Sequence, residues 1–387
     1  MHFAVNTCFV LLICLRISAS ASSAAATSES DSALHRARQL RAPKPVRTAG
    51  GEFEGANFWN KHEALLARAW RELAPRHAAL LHFNESFEAR YISRPLLHAI
   101  RTLRRDAASS HDRDIAERDL RALFKLVAPG VWATHALFTP AFRRELLAEL
   151  RHREASGVPM RRPNGMNRYG AILEDIGLGP ALHGLIQAYI KPLAQTFFPA
   201  HIGRGDADES FSFAVNYERS HSPEHDHDVS LAEHRDASVA TLNVCLGLEG
   251  AMEGAPGFEG GELRFYGDKP PPLRGRSEAG WSTPGHVPRP AHDREFHDVH
   301  FVPGLAVLHL GSNRHEALPL RAGARTNMVV WLFGEQGVVR VAPRPEHERL
   351  GRRERWAPSH SMPASASVGA DRDADISATA NNELREL

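Results

Sequence analysis

The chain has 387 residues, enough for one large domain with additions or for two modest ones. Its 47 lysine and arginine residues are balanced by 46 aspartate and glutamate residues, so composition does not favour a nucleic-acid-binding protein. Histidine is frequent, at 23, but a lone histidine is more often a surface or core residue than a metal ligand.

The first residues have the pattern of a targeting segment. Residues 3–15 are apolar apart from Asn6 and Thr7, and small residues such as Ala19-Ser20-Ala21 follow. We expect residues 1–26 to be a signal peptide that sends the protein into the secretory route. An uncleaved membrane anchor is an alternative, because no lysine or arginine precedes the apolar run. A plastid leader is another, because Ser and Ala dominate residues 18–33.

Cysteine use fits a leader of this kind. Cys8 and Cys14 lie inside it, so a mature chain would keep only Cys245 and form no intrachain disulfide. Residues 27–56, rich in Ala, Ser, Arg and Gly, are predicted to be a disordered linker, and residues 344–387 a disordered tail.

Residues 57–204 form a predicted helical region. Thr139-Pro140 indicates a helix start, with Thr as N-cap and Pro in the first turn. Pro163-Asn164-Gly165 marks a turn. Apolar residues at helical spacing predict further helices over residues 58–73, 95–105, 113–127, 169–176 and 181–198.

From residue 211 the apolar period changes to two, which predicts strands over residues 211–217, 241–247, 258–265, 300–310 and 326–333. In the second of these, large apolar residues alternate with Thr241, Asn243 and Cys245, as in a pocket wall. Residues 267–295 hold many Pro, Gly and Arg residues and form a long excursion. Many short strands after a helical region predict a β-sandwich or jelly roll with helices packed around it.

His234 and Asp236 form the only His-x-Asp pair in the sequence, just before a predicted strand. In an extended segment residues i and i+2 point to the same side, so both side chains can reach one cation. The candidate third ligand is His315, after the strand that ends near Leu310. Two histidines and one carboxylate leave coordination positions open, as in non-haem Fe(II) sites and unlike structural zinc sites. Ten residues on, Arg325 could clamp a carboxylate through two parallel hydrogen bonds.

The order of these motifs resembles the iron- and 2-oxoglutarate-dependent dioxygenases of the prolyl 4-hydroxylase superfamily. Within that superfamily the sequence is most similar to the 2-oxoglutarate and iron-dependent oxygenase domain-containing protein 2 group. The segments that carry the resemblance are residues 162–170, 213–217, 234–247, 258–265 and 302–331.

The resemblance implies an α+β chain with a mainly β catalytic core, a double-stranded β-helix (jelly roll) over residues 205–343, preceded by the helical region. It implies that His234, Asp236 and His315 bind Fe(II) and that Arg325 pairs with the distal carboxylate of 2-oxoglutarate. Tyr217 matches a position close to that cosubstrate. Asn243 is expected to line the pocket because it points to the inner side of its strand. The implied reaction uses O2 to convert 2-oxoglutarate to succinate and CO2 while a prolyl or lysyl side chain, or a small molecule, is hydroxylated. By the same analogy, ascorbate keeps the iron ferrous.

Other interpretations stay open at this point. His221, His225 and His227 imitate a second metal cluster, but we interpret them as a solvent-facing loop. A catalytically silent jelly-roll module that binds a glycan or a protein could have kept the ligand set. A zinc hydrolase is disfavoured by Arg325 and by the absence of an H-E-x-x-H motif. The sequence does not identify the protein or small-molecule substrate; nucleic acid is not an expected partner, and a membrane is one only if the leader is an anchor.

Overall fold

The computed structural model describes residues 32–43, 56–104, 109–199, 201–202, 210–219, 227–236, 238–251, 257–267, 295–333, 339–340 and 349–350. The predicted leader lies outside these residues, as do His221, His225, nearly all of the 267–295 excursion and most of the predicted tail. Within the described residues, no helix has the length and apolar character needed to span a membrane.

The N-terminal half is mostly helical. Its helices are α1 (Ala33–Arg38), α2 (Ala56–Glu72), α3 (Glu85–Tyr91), α4 (Arg94–Leu103), α5 (Ser110–Ala122), α6 (Pro140–Glu154), α7 (Gly179–Leu185) and α8 (Lys191–Phe197), with a 3-10 turn at Ala78–Leu81 and a π-helical turn at Ile186–Ile190 joining α7 to α8.

Local capping explains where several helices begin. The predicted start of α6 is confirmed, because the Thr139 hydroxyl accepts a hydrogen bond from the Phe142 amide and Pro140 occupies the first turn. Residues 27–56 were predicted to be a disordered linker, but α1 lies within them. Ser32 caps this helix, and the small buried residues Ala33 and Ala37 let it pack closely on α2.

The strands are β1 (Lys125–Ala128), β2 (Val131–Thr134), β3 (Gly170–Ile172), β4 (Ser210–Arg219), β5 (Leu231–His234), β6 (Ala240–Gly247), β7 (Phe258–Gly260), β8 (Leu263–Tyr266), β9 (Phe296–Val299), β10 (Ala306–Leu310), β11 (His315–Ala317), β12 (Leu320–Leu332), β13 (Val339–Arg340) and β14 (Arg349–Leu350). They pair antiparallel throughout, and the predicted combination of helices with a β-rich part is confirmed. The larger sheet has the order β1-β2-β10-β6-β12-β4-β3, with β7 also on β12, and the smaller sheet has the order β5-β11-β8-β9.

One predicted helix is wrong in part, and another is not a helix. The helix over residues 113–127 ends at Ala122, and β1 follows it. Residues 169–176 are not helical, because β3 pairs there with β4. Gly170 has φ +138°, and a Cβ there would lie 2.0 Å from the Ala214 carbonyl oxygen, so this close strand pairing requires glycine. Strands β1 to β3 thus come from the predicted helical region and complete the larger sheet.

The larger sheet separates two hydrophobic cores. Leu242, Val244 and Leu246 of β6 pack with the helices in one core. Cys245 of β6 packs with Phe265 of β8 and other residues of both sheets in the second core, so the sheets face each other. The alternation predicted for this strand is therefore confirmed, and its small and polar face lines the space between the sheets.

Candidate metal centre and carboxylate pocket

The pairing of the smaller sheet brings the three predicted metal ligands together. His234 ends β5 and lies directly opposite His315, the first residue of β11. Asp236 Oδ1 lies 3.3 Å from His234 Nε2 and 3.6 Å from His315 Nε2. One ligand atom from each residue lies within 4.8 Å of the others, close enough for a single ion to touch all three.

Hydrogen bonds orient both imidazoles. His234 Nδ1 lies 2.8 Å from the Ala232 carbonyl oxygen, and His315 Nδ1 lies 2.9 Å from that of Asn313. A carbonyl can only accept, so each Nδ1 carries the proton and each Nε2 turns its lone pair towards Asp236. Metal-binding histidines are commonly oriented in this way.

Burial and neighbouring groups set the charges of the site. Burial lowers the pKa of His315 to about 3, so this imidazole is neutral at physiological pH. Burial alone would raise the pKa of Asp236, but His315 and His234 outweigh it and hold that pKa well below its usual range. Burial opposes the charged form of His234, yet its contact with Asp236 outweighs burial and raises its pKa.

This donor set fits a divalent cation. It offers one anionic oxygen and two imidazole nitrogens, which suit Fe(II) among the ions that proteins bind. The side chain of His234 is 13% exposed, whereas those of Asp236 and His315 are 5% exposed. The cluster therefore opens towards solvent on the side of His234.

Two residues beside Asp236 Oδ2, Thr241 and His309, were not predicted to contact it, although Thr241 was predicted to face the pocket. The Thr241 hydroxyl donates to Asp236 Oδ2 at 2.5 Å, and Ser238 Oγ lies 2.6 Å from Thr241 Oγ1. His309 is fully buried, with Nε2 3.7 Å from Asp236 Oδ2. The inward direction predicted for Thr241 was a signal that it lies near the site. Nothing in the sequence alone placed His309 next to Asp236.

Arg325 lies on β12 in a box of aromatic rings. Its guanidinium carbon is 4.7 Å from the ring centre of Phe301 and 5.3 Å from those of Tyr217 and Phe258. Its Nη1 donates to the Gly261 carbonyl oxygen, while its buried Nε has no hydrogen-bond partner. Among the described residues no carboxylate forms a salt bridge with Arg325, so this buried cation suits an anionic ligand.

Tyr217 lies beside Arg325, and the side-chain amide of Asn243 forms a hydrogen bond with the side-chain amide of Asn327. Tyr217 is directly opposite Arg325 in the β4–β12 pairing, and its hydroxyl accepts from Asn167 Nδ2 at 3.2 Å. Asn243 faces the space between the sheets, where its Oδ1 accepts from Asn327 Nδ2 at 2.6 Å. Asn167 was not predicted as a site residue, although it belongs to the 162–170 segment that carries the resemblance.

Unpartnered polar atoms concentrate on this inner face. Among the described residues, buried side-chain atoms without a hydrogen-bond partner include four on β10 and β12 that point between the sheets: His309 Nε2, Arg325 Nε, Asn327 Oδ1 and Trp331 Nε1. Buried polar groups are normally paired, so a polar ligand in this space would restore the missing partners.

Comparisons with known proteins support the resemblance predicted from the sequence. A family model described as an OGFOD2-like domain matches residues 71–203. This part of the chain is thus similar to an OGFOD2-like domain. The Arabidopsis thaliana 2-oxoglutarate and iron-dependent oxygenase domain-containing protein ICU11 is 35% identical over 207 residues, which cover 52% of this chain and 45% of the relative. The human 2-oxoglutarate and iron-dependent oxygenase domain-containing protein 2 is 34% identical over 197 residues, covering 51% and 47%. The predicted resemblance is confirmed.

The chain spans about half the length of the curated relatives it matches. Among solved structures, a Pseudomonas putida prolyl-4-hydroxylase is 19% identical, with a TM-score of 0.31 over 53% of this chain and 88% of that one. The non-heme alpha ketoglutarate dependent epimerase SnoN from nogalamycin biosynthesis is 17% identical, with a TM-score of 0.40 over 67% and 92%. The segment that matches the OGFOD2-like model contains Asn167, while the metal-binding candidates and Arg325 follow that segment in the chain.

Proposed function

We propose that this protein is an Fe(II)- and 2-oxoglutarate-dependent dioxygenase that hydroxylates a prolyl or lysyl side chain, or a small molecule, with release of succinate and CO2. The observation that carries the proposal is the convergence of His234, Asp236 and His315, with Arg325 buried on the same inner face. The names of the relatives, which state dependence on 2-oxoglutarate and iron, support it.

The facing sheets support a double-stranded β-helix. Its two antiparallel sheets share the core that contains Tyr217, Cys245 and Phe265. The candidate ligands lie where the smaller sheet meets the larger one, and Arg325 lies on the larger sheet. A jelly roll of this kind can hold a small ligand between its sheets.

In this proposal, His234, Asp236 and His315 hold Fe(II). Iron held there, with 2-oxoglutarate and O2, would supply the oxidising chemistry: one atom of O2 enters the substrate as a hydroxyl group and the other enters succinate as 2-oxoglutarate loses CO2. Arg325 binds the distal carboxylate of 2-oxoglutarate, and the Tyr217 hydroxyl, which accepts from Asn167, keeps its own proton for a second hydrogen bond there. The rings of Phe258 and Phe301 exclude water around the guanidinium and strengthen its attraction to a carboxylate.

The direct test is succinate release by the purified full chain with Fe(II), ascorbate and 2-oxoglutarate. A cell extract treated with the protein is then searched by mass spectrometry for products that have gained one oxygen atom. We expect succinate in proportion to the hydroxylated product. Iron and 2-oxoglutarate binding without succinate above a no-iron control, across such extracts, would instead favour a silent binding module.

Gly261→Ala is predicted to weaken 2-oxoglutarate binding. Gly261 has φ +68°, and an added Cβ would lie 2.9 Å from Arg325 Nη1 and 2.7 Å from Leu320 Cδ2. The guanidinium, boxed by aromatic rings, would have to move, and misplacing a positioned group by about 1 Å can lower a rate on the order of a hundredfold. We therefore expect turnover at low 2-oxoglutarate to fall by roughly tenfold to a hundredfold.

Gly250→Ala is the matched control for this variant. Gly250 has a similar φ of +76°, but an added Cβ would meet nothing within 4 Å. Both variants carry a backbone penalty of about 1 kcal/mol, so a comparable loss of 2-oxoglutarate affinity in the two would refute the proposed displacement of Arg325.

We also propose that the protein enters the secretory route through residues 1–26, on the basis of the apolar run and small residues there. The N-terminal sequence of the protein recovered from cells tests this. A mature N-terminus just after the small residues supports a cleaved signal peptide, and a full-length protein in the membrane fraction would favour the anchor.

A further inference from the structure

We infer that Thr241, backed by Ser238, is a positioning residue that makes Asp236 bind its metal through one oxygen only. The inference rests on the proposed function, since it concerns the same metal. It assigns a role to two hydroxyl groups that touch neither the ion nor the cosubstrate in the proposed site.

The two oxygens of Asp236 have different surroundings. Oδ1 faces the imidazole nitrogens, 3.3 Å from His234 Nε2 and 3.6 Å from His315 Nε2. Oδ2 accepts a 2.5 Å hydrogen bond from Thr241 Oγ1. His309 Nε2 also faces Oδ2, but at 3.7 Å it is beyond hydrogen-bond distance. Thr241 is thus the hydrogen-bond partner that holds Oδ2 away from His234 and His315.

The direction of the hydrogen bonds is fixed by chemistry. An ionised carboxylate can only accept, so the Thr241 hydroxyl spends its single proton on Asp236. Its oxygen can then accept from Ser238 Oγ, which lies 2.6 Å away. Both residues are buried, with Thr241 1% and Ser238 8% exposed, so solvent competes little with this chain of hydroxyls.

The sheet gives Thr241 a fixed place, whereas Asp236 lies in the loop between β5 and β6. Thr241 is paired in β6 with His309 of β10 and with Trp331 of β12. Backbone hydrogen bonds hold this loop: the Asp236 amide donates to the Gly311 carbonyl oxygen at 2.9 Å, and the Val239 amide donates to that of Leu332 at 2.8 Å. Such backbone hydrogen bonds fix the main chain at Asp236 but leave its carboxylate free to rotate about χ2. The Thr241 hydroxyl removes that freedom.

The consequence concerns the coordination positions of the metal. A carboxylate that turns can present both oxygens and fill a position that 2-oxoglutarate needs. It must also be ordered when the metal binds, which weakens binding. Loss of such an outer partner typically lowers metal affinity by about tenfold to a hundredfold.

The test measures Co(II) binding to the full chain, by competition with a chromophoric chelator, and the visible spectrum of the Co(II) protein. We expect Thr241→Val, which removes only the hydroxyl function, to bind Co(II) about tenfold to a hundredfold more weakly and to show an altered Co(II) spectrum. Thr241→Ser keeps the donor and is expected to restore most of the affinity together with the wild-type spectrum.

Thr326→Val is the matched control. Thr326 is also a buried strand threonine, 3% exposed, and its hydroxyl donates to Asn216 Oδ1 at 3.0 Å. It lies on the opposite face of the larger sheet, beside Leu147 and Leu150 of α6. The same chemical change there is expected to leave Co(II) affinity and the spectrum unchanged.

Each outcome decides the inference. Unchanged Co(II) affinity and spectrum in Thr241→Val would overturn it, as would failure of Thr241→Ser to restore them. If Thr241→Val does not fold, as judged by circular dichroism, Ser238→Ala takes its place, with a severalfold loss expected and no loss overturning the inference. A wild-type protein that binds no Co(II) would count against the proposed function itself, whereas normal wild-type binding with an indifferent Thr241 would count against the inference alone.

Discussion

Replacement of Asp236 by alanine is expected to reduce succinate release to the level of a reaction without protein. Asp236 supplies the anionic oxygen of the proposed metal site, 3.3 Å and 3.6 Å from the two imidazole nitrogens. Without it, two neutral imidazoles must hold a divalent ion with no charge to offset the loss of hydration. Metal titration should show the same loss, so the effect precedes any step of catalysis.

Asp298→Ala is the control for this variant. Asp298 lies on β9 of the smaller sheet, where it accepts two hydrogen bonds from Arg264 at 2.7 Å and 2.8 Å. The Asp298→Ala variant removes one carboxylate from the smaller sheet but changes none of the proposed metal ligands, so turnover should persist. Full turnover in Asp236→Ala would contradict the assignment of the metal site.

Replacement of Arg325 by methionine has the second largest expected effect, a loss of 2-oxoglutarate binding with metal binding kept. Truncating one partner of a buried, hydrogen-bonded charge pair costs about 2–5 kcal/mol, which corresponds to roughly thirtyfold to several thousandfold in Kd. Methionine fills much of the apolar box formed by Tyr217, Phe258 and Phe301, so packing is largely kept. Isothermal titration of the metal-loaded protein with 2-oxoglutarate measures the effect.

Two further variants sharpen this result. Arg325→Lys keeps the charge but loses the planar fork, so its affinity should lie between those of the wild type and Arg325→Met. Arg264→Met removes an arginine that also stacks on an aromatic ring, 4.0 Å from the centre of Phe296, but lies outside the pocket. Similar losses in Arg264→Met and Arg325→Met would show that the change is not specific to the proposed carboxylate clamp.

The sequence was most informative where spacing along one strand fixes geometry. Thr241 to Gly247 alternates between two environments, as the strand period predicts. His234 and Asp236, two residues apart, do reach one site as expected, but Asp236 reaches it from the loop that follows β5. His315 and Arg325 could be added because the family resemblance supplied the distal part of the pattern. The structure then placed His315 opposite His234 across β5 and β11, a pairing that no local pattern encodes.

The misses share a physical cause. Residues 125–128 and 170–172 are short, and a run of that length fits either period until a partner strand is known. His309 and Asn167 make their contacts with residues far away in the chain, as with Asn167 and Tyr217, which are 50 residues apart. A single sequence carries no signal for such contacts, so these residues became visible only in the folded chain.

The most direct measurement of the central claim is a crystal structure of the full chain grown with Mn(II), a redox-inert substitute for Fe(II), and 2-oxoglutarate. We predict one anomalous peak in contact with His234 Nε2, Asp236 Oδ1 and His315 Nε2, and a dicarboxylate whose far end meets the guanidinium of Arg325. A manganese peak away from these three atoms, or a 2-oxoglutarate molecule that leaves Arg325 without a carboxylate, would contradict the account.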